Sequence, residues 1–195
     1  MSHVTSAVTE AFGKAAADNR AALVGYLPAG FPSVAGAIEA ALAMAQAGAD
    51  VIEVGLPYSD PLMDGPVIAD AVHRALAAGT RVTDVLRTVE AVAATGVPVL
   101  VMTYWNPVDR HGVRAFARDL AAAGGSGLIT PDLTIEEAGS WLDASAELAP
   151  LLLSGAAVQP HALITQLAAA AADADFATLA VPHGADQVIV AGVTG

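Results

Sequence analysis

Residues 50–68 read DVIEVGLPYSDPLMDGPVI, a short apolar run with a glutamate inside it and then a loop rich in proline and aspartate. Val51-Ile52-Glu53-Val54 lacks the in/out alternation of a half-exposed strand, so it predicts a parallel strand buried on both faces. A glutamate in such a strand is costly to bury. It must be paired, or keep its proton near neutrality. A raised pKa is what a general acid or base needs, although a strand-end glutamate reaching out to solvent is the plainer alternative. Pro57, Pro61 and Pro66 stiffen the segment that follows, and Gly65-Pro66 suits entry into a helix. Asp60 and Asp64 come 7 and 11 residues after Glu53, in a loop that can fold a carboxylate back over the strand end. Either aspartate could instead only cap the helix that begins near Pro66.

The same alternation runs along the chain. Apolar runs at Ala22–Leu27, Val97–Met102, Gly127–Ile129 and Leu151–Leu153 predict further strands, with one more between Phe176 and Val190. Between them, helices are expected at about Val34–Ala47, Pro66–Ala78, Thr83–Ala94, Val113–Ala123, Thr134–Glu147 and Pro160–Ala172. Gly48, Gly79, Gly96 and Gly124 sit where helices end in a left-handed residue. This is an α/β chain with right-handed crossovers. No linker divides it, so residues 1–195 are expected to form one domain. Two architectures fit, an open doubly wound sheet and a (β/α)8 barrel. Leu27-Pro28-Ala29-Gly30-Phe31-Pro32 is no dinucleotide fingerprint. Polar residues instead follow several strands: Glu53 with Ser59, Asp60 and Asp64; Thr103 to Asn106; Thr130 to Asp132. Such spreading is the habit of barrels. Composition alone leaves both architectures open.

Composition does exclude several classes of function. The 195 residues carry 8 basic and 20 acidic side chains, a net charge of −12. That balance opposes binding to nucleic acid or to anionic membranes. The absence of cysteine removes disulfides, thiolate catalysis and Fe–S clusters. Histidines 3, 73, 111, 161 and 183 show no ligand spacing, and no metal is expected. The first twenty residues lack the apolar core of a signal peptide, and no run reaches the roughly 18 apolar residues of a membrane span, so a cytoplasmic protein is expected.

Four segments carry a closer likeness: PAGFP (28–32), AGADVIEVGLPYSDPLMDGPVI (47–68), VLVMTYWNPVDRHGVRAFARDLAAAGGSGLITPDL (99–133) and GVTG (192–195). They resemble the α subunit of tryptophan synthase in an actinobacterial form, and the E-x-G-x-P-[FY]-S-D-P-x-x-D-G-P string is highly specific to that family. The resemblance implies a (β/α)8 barrel and a lyase of tryptophan biosynthesis. Its reaction is the retro-aldol cleavage of indole-3-glycerol phosphate to indole and glyceraldehyde 3-phosphate. It also implies a β-subunit partner in an α2β2 heterotetramer. Pyridoxal phosphate belongs to that partner, and the α subunit needs no cofactor. Glu53 matches the family's catalytic glutamate, which protonates indole C3. Asp64 matches the aspartate that binds the indole N–H. Tyr26, Leu100, Leu128 and Ile129 match substrate-pocket positions. Thr194 and Gly195 match a loop that closes over the substrate phosphate. Asp60 and Asp132 match loop positions tied to communication between subunits.

The family's barrel continues beyond GVTG through two more strands, which supply much of its phosphate site. About six βα units are therefore expected here, either truncated after strand six or internally deleted, with 184–192 standing for strand eight. A catalytically impaired chain that keeps the β-binding face is the alternative to an active lyase. A different small-molecule protein built on part of a barrel is a third reading. A β1 edge left without a partner would favour oligomers or low stability, unless 187–191 covers it.

Overall fold

The computed structural model describes residues 6–152 and 189–191. Among them lie five strands and seven helices. Helix α1 (Ala7–Ala17) precedes β1 (Leu23–Pro28), α2 (Val34–Gln46), β2 (Val51–Gly55), α3 (Pro66–Ala77) and α4 (Val82–Ala93). Then come β3 (Val99–Met102), α5 (Trp105–His111), α6 (Val113–Ala122), β4 (Gly127–Ile129), α7 (Gly139–Leu152) and β5 (Ile189–Ala191). All strand pairs are parallel, in the order β4-β3-β2-β1-β5.

Local chemistry sets the element ends. Ser6 caps α1 by accepting from the Thr9 N–H at 3.1 Å, and Ser33 caps α2 through Gly36 at 3.0 Å. Pro66 opens α3 directly after Gly65. The four helix-ending glycines all have positive φ, as their positions predict. At the bottom of the sheet, the Asp50 carboxylate takes two 2.7 Å bonds from the Arg20 guanidinium and one of 2.8 Å from the Leu23 N–H, which ties β1 to β2.

Register divides the sheet into two faces. Ile52, Val54, Val99, Val101 and Leu128 pack outward against Val85, Val89 and Val92 of α4 and Phe116 and Leu120 of α6. Trp141 and Ala144 of α7 complete that layer. The other face carries Val24, Val51, Leu100 and Ile129, covered by Val8, Ala11 and Phe12 of α1. Tyr26, Glu53, Leu100 and Gly127 lie in one row of this inner face, because Tyr26 pairs with Glu53, Glu53 with Leu100 and Leu100 with Gly127.

Three sequence expectations change. Leu151 and Leu152 continue α7 rather than forming a strand, since a run made only of leucine carries helix propensity and no β-branched residue. Leu153 lies outside the described residues, as does the helix expected at Pro160–Ala172. Helix α7 begins at Gly139 rather than Thr134 because tight i→i−3 bonds at Glu137 and Ala138 precede it. Leu128 faces the outer helices and forms no pocket wall. Helices α1 and α5 were not anticipated. The last strand falls at Ile189–Ala191 and pairs with β1 through Leu23, Val24 and Gly25. It covers the β1 edge in the position that the final strand of a closed barrel occupies.

The β1–α2 loop is docked on α3. A Cβ at Gly30 would collide with Thr80, lying 2.7 Å from its Cγ2, and Gly30 has φ +81°. Phe31 lies under the Arg74 guanidinium at 4.8 Å. Gly30→Ala should therefore destabilise the fold by ~1–3 kcal/mol in denaturant melts, with partial recovery when Thr80→Gly is added. An unchanged midpoint would show that the loop is not clamped at Thr80.

Candidate active site

Parallel strands place all their C-terminal ends together, so Glu53, Tyr104 and Thr130 gather at one end of the sheet. Glu53 is only 9% exposed. Among the described residues no side chain hydrogen-bonds its carboxyl, and burial alone pushes its pKa from 4.5 to about 7. Its row explains this: Leu100 flanks it on β3, and the neighbour on β1 is the aromatic ring of Tyr26. The Tyr26 phenol leans over Gly55, where a Cβ would stand 2.9 Å from its Cζ and closer still to the hydroxyl. Gly55 is thus the seat that lets an aromatic ring lie beside the glutamate. Burial raises the Tyr26 pKa well above its ordinary value, with the Asp64 and Glu53 carboxyls adding to the effect, so the phenol stays protonated.

The loop after β2 brings in the second carboxyl. Asp64 accepts from the Tyr104 hydroxyl at 3.2 Å, and that same hydroxyl accepts the Met63 N–H at 2.8 Å. Burial raises the Asp64 pKa, and the Tyr104 bond opposes the rise. Asp64 does not cap α3, whose N-cap is Gly65. Asp60 accepts from Ser59 Oγ at 2.6 Å on the exposed part of the loop. Asp132 accepts from the Trp105 N–H at 2.9 and 3.1 Å, and so holds the start of α5. Leu100 and Ile129 stand on the inner face. Thr194 and Gly195 lie outside the described residues.

The residues the sequence did not single out are Met63 and Tyr58, and Asn106 was visible only within the polar strand-end run Thr103 to Asn106. Their roles come from backbone and ring contacts that no spacing rule exposes. Tyr104 was visible only as a polar strand-end residue. Among the described residues no group of three acidic or histidine side chains could hold a metal ion.

The arrangement defines a class: a parallel α/β barrel-type protein with a buried glutamate whose pKa is pushed up to about 7 and a tyrosine-held aspartate at the C-terminal strand ends. Residues 12–174 match the tryptophan synthase alpha chain family, and the chain belongs to it. It is 66% identical over 145 residues to the tryptophan synthase alpha chain of Salinispora arenicola, covering 74% of this chain and 53% of the relative. The Mycobacterium leprae alpha chain is 51% identical over 167 residues, covering 85% of this chain and 62% of the relative. Among solved structures, tryptophan synthase of Mycobacterium tuberculosis aligns with a TM-score of 0.72 at 57% identity, covering 73% of this chain and 56% of that one. Tryptophan synthase subunit alpha of Legionella pneumophila aligns at 0.67 and 34%, covering 72% and 56%. The fold is therefore of the (β/α)8 type, and the chain spans about half the length of the curated relatives it matches.

Glu53 titrates higher in the fold than unfolded, so its contribution to stability is greatest below about pH 4.5 and declines as pH rises through about 7. Glu53→Gln should therefore gain stability over the parent as pH rises from 5 to 8, by up to ~3 kcal/mol. Parallel urea melts at the two pH values measure this. A pH-independent difference would mean that Glu53 ionises normally in the fold.

Proposed function

We propose that this chain carries the α reaction of tryptophan synthase, cleaving indole-3-glycerol phosphate to indole and glyceraldehyde 3-phosphate. The observation that carries this reading is the pairing of a carboxyl poised near pH 7 with a second carboxyl fixed by Tyr104 at the same sheet end. Breaking the C–C bond requires indole C3 to gain a proton and the ring nitrogen to carry the resulting positive charge. Glu53, protonated near neutrality, donates to C3. Asp64 accepts the indole N–H and stabilises the indolenine cation. Glu53, now ionised, takes the proton from the glycerol hydroxyl as the carbonyl of glyceraldehyde 3-phosphate forms, which returns it to the acid form. Tyr26 and Leu100 supply the apolar surface for the indole ring, with Ile129 on the same inner face. Thr194 and Gly195 are assigned to phosphate closure on the family likeness alone.

The same reading gives the chain a β-subunit partner, with Asp60 and Asp132 on the communicating loops and pyridoxal phosphate on the partner. It also treats residues 1–195 as one domain of a cytoplasmic enzyme. Among the described residues no helix is long and apolar enough to cross a membrane. The second reading is a chain that keeps the partner-binding face but turns over poorly.

Indole release from indole-3-glycerol phosphate, with and without added β subunit, separates the two readings. The lyase reading expects indole from the parent, and a fall in kcat of at least ~100-fold for both Glu53→Gln and Asp64→Asn with KM little changed. It also expects kcat/KM to decline as pH rises through about 7, where Glu53 loses its proton. No indole under either condition, with the β subunit still bound, would establish the impaired reading instead.

A further inference from the structure

The loop between Gly55 and Pro66 meets a single tripeptide, Tyr104-Trp105-Asn106, at two places. Near its end, Met63 and Asp64 bond to the Tyr104 hydroxyl. Near its start, the Tyr58 ring lies against the Tyr104 ring with centroids 5.5 Å apart. The Tyr58 hydroxyl accepts from Asn106 Nδ2 at 2.9 Å. Asn106 is the second residue of α5, whose first N–H is held by Asp132. Between the two attachments, Ser59, Asp60 and Leu62 are exposed, Leu62 at 79%. The tripeptide therefore grips the loop fore and aft while its tip stands free of the sheet.

We propose that Tyr58 and Asn106 are positioning residues for Asp64: their tether holds the Tyr104 ring where its hydroxyl can fix the aspartate, independently of the loop tip. The catalytic consequence rests on the lyase reading above. Tyr104 has one hydroxyl serving two loop groups, so a small rotation of its ring displaces Met63 and Asp64 together. The face of that ring is supported by Tyr58, and Tyr58 is anchored in turn by Asn106. Neither Tyr58 nor Asn106 bonds Asp64 itself.

Three variants test the tether. Tyr58→Phe keeps the ring and removes the bond, and Asn106→Ala removes it from the other side. Asn106→Asp lets the Tyr58 hydroxyl donate instead, and should restore it. The first two should lower kcat roughly three- to tenfold with KM unchanged, and Asn106→Asp should recover most of the loss. In an Asp64→Asn background, Tyr58→Phe should cost nothing further, because the residue it positions has lost its charge. A loss that persists undiminished in that background would overturn the proposal, as would full activity in both tether variants. Amide exchange at Met63 gives a readout free of substrate. Its protection should fall severalfold in Tyr58→Phe and Asn106→Ala and return in Asn106→Asp. If the parent releases no indole, the lyase reading fails by itself, and Met63 exchange still decides the tether: unchanged protection would refute it.

Discussion

A carboxyl group in the middle of an inward row of a parallel sheet is the constraint around which this site is arranged. Glu53 sits between Tyr26 and Leu100, with no protein hydrogen bond among the described residues to hold its charge. Water supplies little at 9% exposure. The fold therefore keeps the proton on the glutamate up to about neutral pH, and the cost is a carboxylate that becomes unfavourable as pH rises. Gly55, two residues on, belongs to the same constraint. It leaves room for the Tyr26 phenol, and that ring is part of what shields Glu53 from solvent.

Burial raises both carboxyls, but their supports differ. Glu53 is held by a strand and has no compensating donor. Asp64 is held by a loop, and the Tyr104 hydroxyl partly offsets its burial. Two acids in separated environments can take separate roles, one holding a proton and the other held as an acceptor. The strand supplies rigidity to the first, and the Tyr104-Trp105-Asn106 segment supplies it to the second. Loops that carry function on a rigid scaffold commonly need such anchoring.

Much of this was legible in the sequence, and the remainder was hidden for identifiable reasons. Strands at Val51, Val99 and Gly127 announced themselves through short apolar runs without alternation, the signature of burial on both faces. The Leu151–Leu153 run had the same hydropathy but no β-branched residue, and its first two residues extend α7. Glu53 and Asp64 were visible because a charge in an apolar strand and an aspartate beside a helix-opening Gly-Pro are both conspicuous. Tyr104 as the holder of Asp64 was not visible, since the two lie 40 residues apart and meet only through the sheet. Helix α5 was masked by its overlap with polar strand-end residues, and only Pro107 near its start hinted at it. The pairing of β5 with β1 stood in the sequence only as the alternative that 187–191 covers the β1 edge, because periodicity cannot decide a contact between strands more than 160 residues apart.

That pairing also bears on the central glutamate. With β5 alongside, β1 has a partner on each side, so Tyr26 is presented to Glu53 from an interior strand rather than from an edge. The chemistry of the site turns on the ionisation of one carboxyl. The most direct measurement is the titration of the Glu53 side-chain carboxyl by carbon NMR, assigned by its loss in Glu53→Gln. The account predicts a midpoint of about 7. A midpoint at the ordinary glutamate value of about 4.3 would contradict it, since Glu53 would then be solvated or paired and would carry no proton at neutral pH.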